Sequence, residues 1–253
     1  MAFAEIAFLS VSELLARYRR KIISPVDAVR AVLDRLDRYN GIANAYCHVD
    51  AECVLQRARE SEARWMAGAP KGLIDGVPVG IKDNILVAGM PARFGSRLTS
   101  AEPAVHDAPT VARLRENGAI LIGKTAMPEL GWKPVTDSPL TGVTRNPWNT
   151  RKTPGGSSGG AVAAVVLKMG SFQIGTDGGG SIRIPAAFSG CYGIKPTRAR
   201  VPVWPASPLG TLGHFGPLTQ SVADAALVLT MMATPDLRDV YGWKSPRPTF
   251  GSA

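Results

Sequence analysis

Serine and lysine are the side chains on which chemistry in this sequence turns. From Pro154 to Ser181 the chain reads PGGSSGGAVAAVVLKMGSFQIGTDGGGS, two glycine-wrapped serine sites separated by one helix and one strand. Glycine reaches positive φ and lets another molecule approach the main chain closely. A reactive serine needs both, because the backbone N–H groups that stabilise an oxyanion must be left unpaired by secondary structure. A serine hydroxyl is also a weak nucleophile until a base takes its proton during attack. His48, His106 and His214 are dispersed, so a neutral lysine is the next candidate base. Lys82 follows the apolar run Val77-Pro-Val-Gly-Ile81 and should emerge at the C-terminal end of a strand, where α/β sites lie. Burial there lowers a lysine's pKa, because the charged form loses hydration. Read alone, Lys82 is a salt-bridge partner of Asp83 or another acid. Beside two serine loops it reads as a base.

Two other motifs compete for these residues. Gly118-Ala-Ile-Leu-Ile-Gly123-Lys124-Thr125 fits the phosphate-loop expression, but its interior is a buried-strand run and Pro128 disfavours an immediate helix. A strand and turn are expected there. Gly155-Gly-Ser157-Ser-Gly159 fits the nucleophile elbow of α/β-hydrolases, which needs a strand directly before it. The preceding Asn146–Pro154 run, with two prolines, makes a poor central strand. The three histidines read as surface or packing residues, and no metal site is expected.

The two serine loops together closely resemble the signature of the amidase signature family. That pattern reads GGSSGG, an apolar helix, then G-T/S-D-x-GGS-I-R-x-P, and it stands here at Gly155–Gly160 and Gly175–Pro185. Lys82 after its apolar strand is a second mark, and the resemblance spans nearly the whole chain. It implies Ser181 as nucleophile, Ser157 as a relay held in a cis Gly156–Ser157 peptide, and Lys82 as the base behind Ser157. The N–H groups of Gly178, Gly179, Gly180 and Ser181 are the expected oxyanion hole. Gly178 stands where the family often carries a larger residue. Ser158 is expected to cap the following helix or to orient Lys82, while Thr176, Asp177 and Arg183 support the nucleophile loop. The implied reaction is hydrolysis of a small carboxamide through an acyl-enzyme, with no metal or organic cofactor. Family members are about twice this length, so the resemblance implies an α/β fold incomplete at its C-terminal end. Self-association, or a partner supplying the C-terminal half, would follow. Two alternatives stand beside this: a non-catalytic or partner-dependent amidase-like subunit, and the glutaminase subunit of a tRNA-dependent amidotransferase.

The elements that must hold these residues are legible in outline. Residues 1–70 read as a helical layer. Ser10-Val-Ser-Glu13 is a capping box ahead of Val11, Leu14, Leu15 and Tyr18 on one face. Ser24-Pro25 opens a second helix with a stripe of Val26, Val29, Leu33 and Leu36, ended by Asn40-Gly41. A third runs from near Asp50 to Ala67. Residues 71–235 read as the α/β core. Strands are expected at Val77–Ile81, Ala119–Ile122, Phe172–Ile174 and Cys191–Ile194, and helices at Thr110–Asn117, Gly159–Lys168 and Val222–Met232. Pro128–Pro154 is a long loop of the functional kind, and residues 236–253 an irregular tail.

Composition bounds the rest. At 253 residues and 45% hydrophobic, the chain can bury a core of one large domain. Its net charge of +9 is scattered, and the one basic run, Arg17 to Lys21, sits at a helix end where cations complement the dipole. No nucleic-acid partner is expected. Three cysteines without CxxC spacing fit a reducing cytoplasm. No targeting segment is expected at the N-terminus, and no run approaches a membrane span.

Overall fold

The computed structural model describes residues 3–243 and 249–250. The chain begins with α1 (Phe3–Ile6), α2 (Val11–Arg19) and α3 (Pro25–Ala43), then β1 (Tyr46–Val49) and α4 (Ala51–Met66). Next come β2 (Pro78–Lys82), α5 (Pro109–Glu116) and β3 (Ile120–Thr125), followed by the short pair β4 (Asp137–Ser138) and β5 (Gly142–Val143). The two serine loops are framed by α6 (Gly159–Val166), β6 (Phe172–Asp177) and α7 (Arg183–Ser189). The described chain closes with β7 (Tyr192–Gly193), β8 (His214–Thr219) and α8 (Val222–Met232).

Six strands form one mixed sheet in the order β1-β3-β2-β6-β8-β7. Its centre is parallel (β3, β2, β6), and β1, β8 and β7 pair antiparallel at its flanks. Strand β2 is buried at every position, which explains its continuous apolar reading. One face of the sheet packs Val79, Ile81, Phe172 and Ile174 against α2, α5 and α8. The other packs Ile120 and Ile122 against Val29, Val32 and Leu36 of α3, Val54 of α4 and Ala163 of α6. Among the described residues no helix is long and apolar enough to cross a membrane.

The capping boxes at Ser10 and Ser24 are both formed, and Asp50 caps α4. Helix α3 outlasts its expected Asn40-Gly41 stop by one turn of residues. Asn44 takes the left-handed cap instead, at φ 51, and its side chain bonds the carbonyls of Thr141 and Val143. Several elements escape the sequence pattern, among them the paired strands β4 and β5, which lie inside the stretch expected to be a long loop. Strand β1 lies within the stretch that reads as helical, α7 holds Pro185 in its first turn, and β8 carries Gly216 and Pro217, which hide it. Of the expected irregular tail, residues 244–248 and 251–253 lie outside the described residues.

The phosphate-loop match is a fully buried strand, β3. Lys124 Nζ there donates to the carbonyls of Asp83 (3.1 Å), Ile85 (2.7 Å) and Pro91 (3.2 Å), so its donors are committed to main chain.

Candidate active site

Parallel strands β2 and β6 lie side by side, and both deliver polar residues at their C-terminal ends. Lys82 closes β2; Thr176 and Asp177 close β6. Lys82 is fully buried, and its Nζ lies 2.7 Å from Ser157 Oγ and 2.8 Å from Thr176 Oγ1. Asn84 Nδ2 donates to the same Thr176 hydroxyl at 3.2 Å. Burial is the main cause that pulls the Lys82 pKa down from 10.5 to about 7; the carboxylates of Asp177 and Asp83 act against it. Asp83 is not an ion-pair partner of Lys82. Its carboxylate accepts the N–H groups of Arg93 (3.2 Å) and Gly95 (2.9 Å), which overturns the salt-bridge alternative.

Ser157 sits in a loop held from several sides. The Gly156–Ser157 peptide is cis. A Cβ on Gly156 would lie 2.7 Å from the Val135 main chain, so only glycine allows this approach. Thr136 Oγ1 donates to the Gly155 carbonyl (2.8 Å) and accepts the Gly159 N–H (3.1 Å), so the long loop after Pro128 serves as a brace for the serine loop. Gly131 borders Ser157 as well: a Cβ there would come within 3.3 Å of the Ser157 hydroxyl.

Ser158 stands at the start of α6 but gives no side-chain cap. Its Oγ donates instead to the Thr176 carbonyl (3.2 Å) and accepts the Thr176 N–H (3.4 Å). It therefore touches Lys82 only through Thr176. The two serine loops are tied by a main-chain bond, Ser158 N–H to the Ser181 carbonyl, at 3.1 Å. Among the described residues, no hydrogen bond joins the hydroxyls of Ser157 and Ser181.

Ser181 is half-buried in the turn between β6 and α7, and Asp177 shapes that turn. The buried Asp177 carboxylate accepts the N–H groups of Gly180 (2.8 Å) and Ile182 (3.1 Å), with a longer contact from Arg183 (3.4 Å). The Arg183 guanidinium grips it from outside, at 3.0 Å and 2.9 Å. Burial works to raise the Asp177 pKa, but the guanidinium and these N–H donors outweigh it and bring the carboxyl down to about 2. One expectation needs correcting. The Gly180 N–H is spent on Asp177, so it is not a free oxyanion donor. The N–H groups of Gly178, Gly179 and Ser181 have no hydrogen-bond partner among the described residues.

A family model described as Amidase matches residues 27–252. The chain belongs to the amidase signature family. It is 40% identical to a glutamyl-tRNA(Gln) amidotransferase subunit of Methylacidiphilum infernorum over 96% of this chain and 48% of that protein. It is 41% identical to the putative amidase AmiA2 of Mycobacterium bovis over 87% of this chain and 45% of that one. Among solved structures, a bacterial aryl acylamidase of the same family superposes with a TM-score of 0.87 at 33% identity, over 94% of this chain and 50% of its own. A 6-aminohexanoate cyclic dimer hydrolase gives 0.86 at 30% identity, over 96% and 50% respectively. The chain thus spans about half the length of the relatives it matches. Within that half, the amidase signature fold brings Lys82, Ser157, Ser158, Thr176, Asp177, Ser181 and Arg183 into one region. Asn84 and Gly131 also border it. Asn84 is visible in the sequence only as a neighbour of Lys82, and Gly131 carries no sequence signal.

Proposed function

We propose that this chain carries the catalytic centre of an amidase that hydrolyses a carboxamide to a carboxylate and ammonia or an amine. The observation that carries this reading is the buried 2.7 Å contact between Lys82 Nζ and Ser157 Oγ, with burial holding the lysine near pKa 7. A lysine in that state is partly neutral at ordinary pH and has a lone pair to accept the Ser157 proton. Ser181 attacks the amide carbon while Ser157 takes the Ser181 proton and passes its own to Lys82. The proton returns through Ser157 to the leaving nitrogen, the C–N bond breaks, and an ester remains on Ser181. Water then attacks that ester by the reverse route, releasing the acid and restoring the serine. The N–H groups of Gly178, Gly179 and Ser181 are the donors available to the oxyanion, and one such donor is typically worth ~2.7–4 kcal/mol of barrier. Asp177 does not react; with Arg183 it fixes the turn that presents these donors. The scheme uses no metal or cofactor.

The relatives favour a second reading, a glutaminase component of a larger assembly, since several belong to amidotransferases. A non-catalytic role is the third. Ammonia release from glutamine and from simple amides such as benzamide separates them. The amidase reading expects turnover of simple amides, abolished by Ser181→Ala. Release from glutamine alone supports the second reading, and none from either substrate, with the fold intact, supports the third.

A further inference from the structure

Resting on the amidase reading, we infer that Leu209 forms an apolar wall on the nucleophile loop and selects substrates whose acyl group is apolar. Gly178 is one of the proposed oxyanion donors, and its missing side chain is not replaced by empty space. A Cβ built there would fall 2.3 Å from Leu209 Cδ1 and 3.6 Å from Leu209 Cγ. The leucine, 31 residues away in sequence, therefore rests directly on the Gly178 main chain. Next to it, a Cβ on Gly179 would meet nothing within 4 Å. Hydrocarbon thus covers the loop at Gly178, while the space beside Gly179 is open.

Leu209 is held there by a turn with its own bonding. Gly210 N–H donates to the Ser207 carbonyl (2.9 Å), Leu209 N–H to Ser207 Oγ (3.1 Å), and Leu212 N–H to the Leu209 carbonyl (3.2 Å). His214 fastens the end of this turn to strand β6. Its Nδ1 lies 2.7 Å from the Leu212 carbonyl and 3.2 Å from the Asp177 carbonyl, the residue just before Gly178. The two nearest charged groups on the loop, Asp177 and Arg183, are spent on each other. Leu209 itself remains 43% exposed, so it has apolar surface left to cover a ligand. An acyl chain whose carbonyl oxygen sits among the N–H groups of Gly178, Gly179 and Ser181 would lie against this leucine.

The test compares p-nitrophenyl acetate with p-nitrophenyl butyrate on the purified chain, reading kcat/KM for each and the acyl adduct on Ser181 by mass spectrometry. Each methylene fully buried is worth about fourfold, so the wild type should favour butyrate by about five- to fifteenfold. Leu209→Ala should reduce that ratio to about one to three. Gly178→Ala should do the same, because its new Cβ displaces the flexible end of Leu209, and the double variant should lose nothing more. A butyrate ratio unchanged in both single variants, with acyl still found on Ser181, overturns the wall while leaving the amidase reading in place. Failure of the wild type to acylate Ser181 with either ester overturns the amidase reading, and the wall with it.

Discussion

The state of Lys82 makes a quantitative prediction about pH. Burial brings its pKa from 10.5 to about 7, against the pull of Asp177 and Asp83. At pH 7 roughly half of the lysine is then neutral, whereas an exposed lysine would be neutral in roughly one molecule in three thousand. If neutral Lys82 receives the proton from Ser157, acylation should rise about tenfold per pH unit at low pH and level off above about pH 8. Between pH 5.5 and the plateau the change should be roughly thirtyfold. The assay is the second-order rate of labelling by a fluorophosphonate, measured by stopped time points and intact mass, with Lys82→Met alongside. The same burial sets a stability trend. The folded pKa lies below the unfolded one, so the unfolded chain binds the extra proton between about pH 7 and 10.5, and this residue's contribution to stability rises across that window. Below pH 7 its burial costs on the order of 5 kcal/mol. A labelling rate still climbing tenfold per unit at pH 9–10, or a rate independent of pH from 5.5 to 9, would refute the reasoning.

Three further outcomes follow from particular contacts. Asp177→Asn weakens the charge-assisted bonds to Arg183 and to the Gly180 and Ile182 N–H groups, so it should cost about 1.5–3 kcal/mol in denaturant unfolding and slow labelling of Ser181. The lowered Asp177 pKa means its stabilising contribution is complete above about pH 4 and is lost as pH falls toward about 2, which acid titration followed by circular dichroism would read. Gly160→Ala should lower Tm by several degrees or prevent folding. Its Cβ would fall 2.4 Å from the Ala126 main-chain nitrogen and 2.5 Å from the Ala45 carbonyl oxygen, where nothing flexible can yield, and overpacking of this kind typically costs ~1–3 kcal/mol or more.

Much of the site is legible in the sequence because its parts are local. The apolar run before Lys82 places the lysine at the end of β2, and the glycine-serine runs mark both loops. Capping chemistry at Ser10, Ser24 and Asp50 locates the starts of α2, α3 and α4, and the bounds of α8 read as they stand. What escapes the sequence depends on partners far along the chain. Nothing local shows that Thr176 shares Lys82 with Ser157. Leu209 reaches Gly178 only because β8 folds back beside β6, and Pro217 conceals that strand. The match of Gly118–Thr125 to a phosphate loop fails for the opposite reason. Its spacing is right, but an unbroken buried run leaves no exposed N–H cradle.

The central claim is that Ser181 is the acylated residue, activated through Ser157 and Lys82. Peptide mass spectrometry of the fluorophosphonate-treated chain tests it most directly. The account predicts a single adduct on Ser181, absent in Ser181→Ala and formed much more slowly in Ser157→Ala and Lys82→Met. An adduct on Ser157, with Ser181→Ala labelled as fast as the wild type, would contradict it.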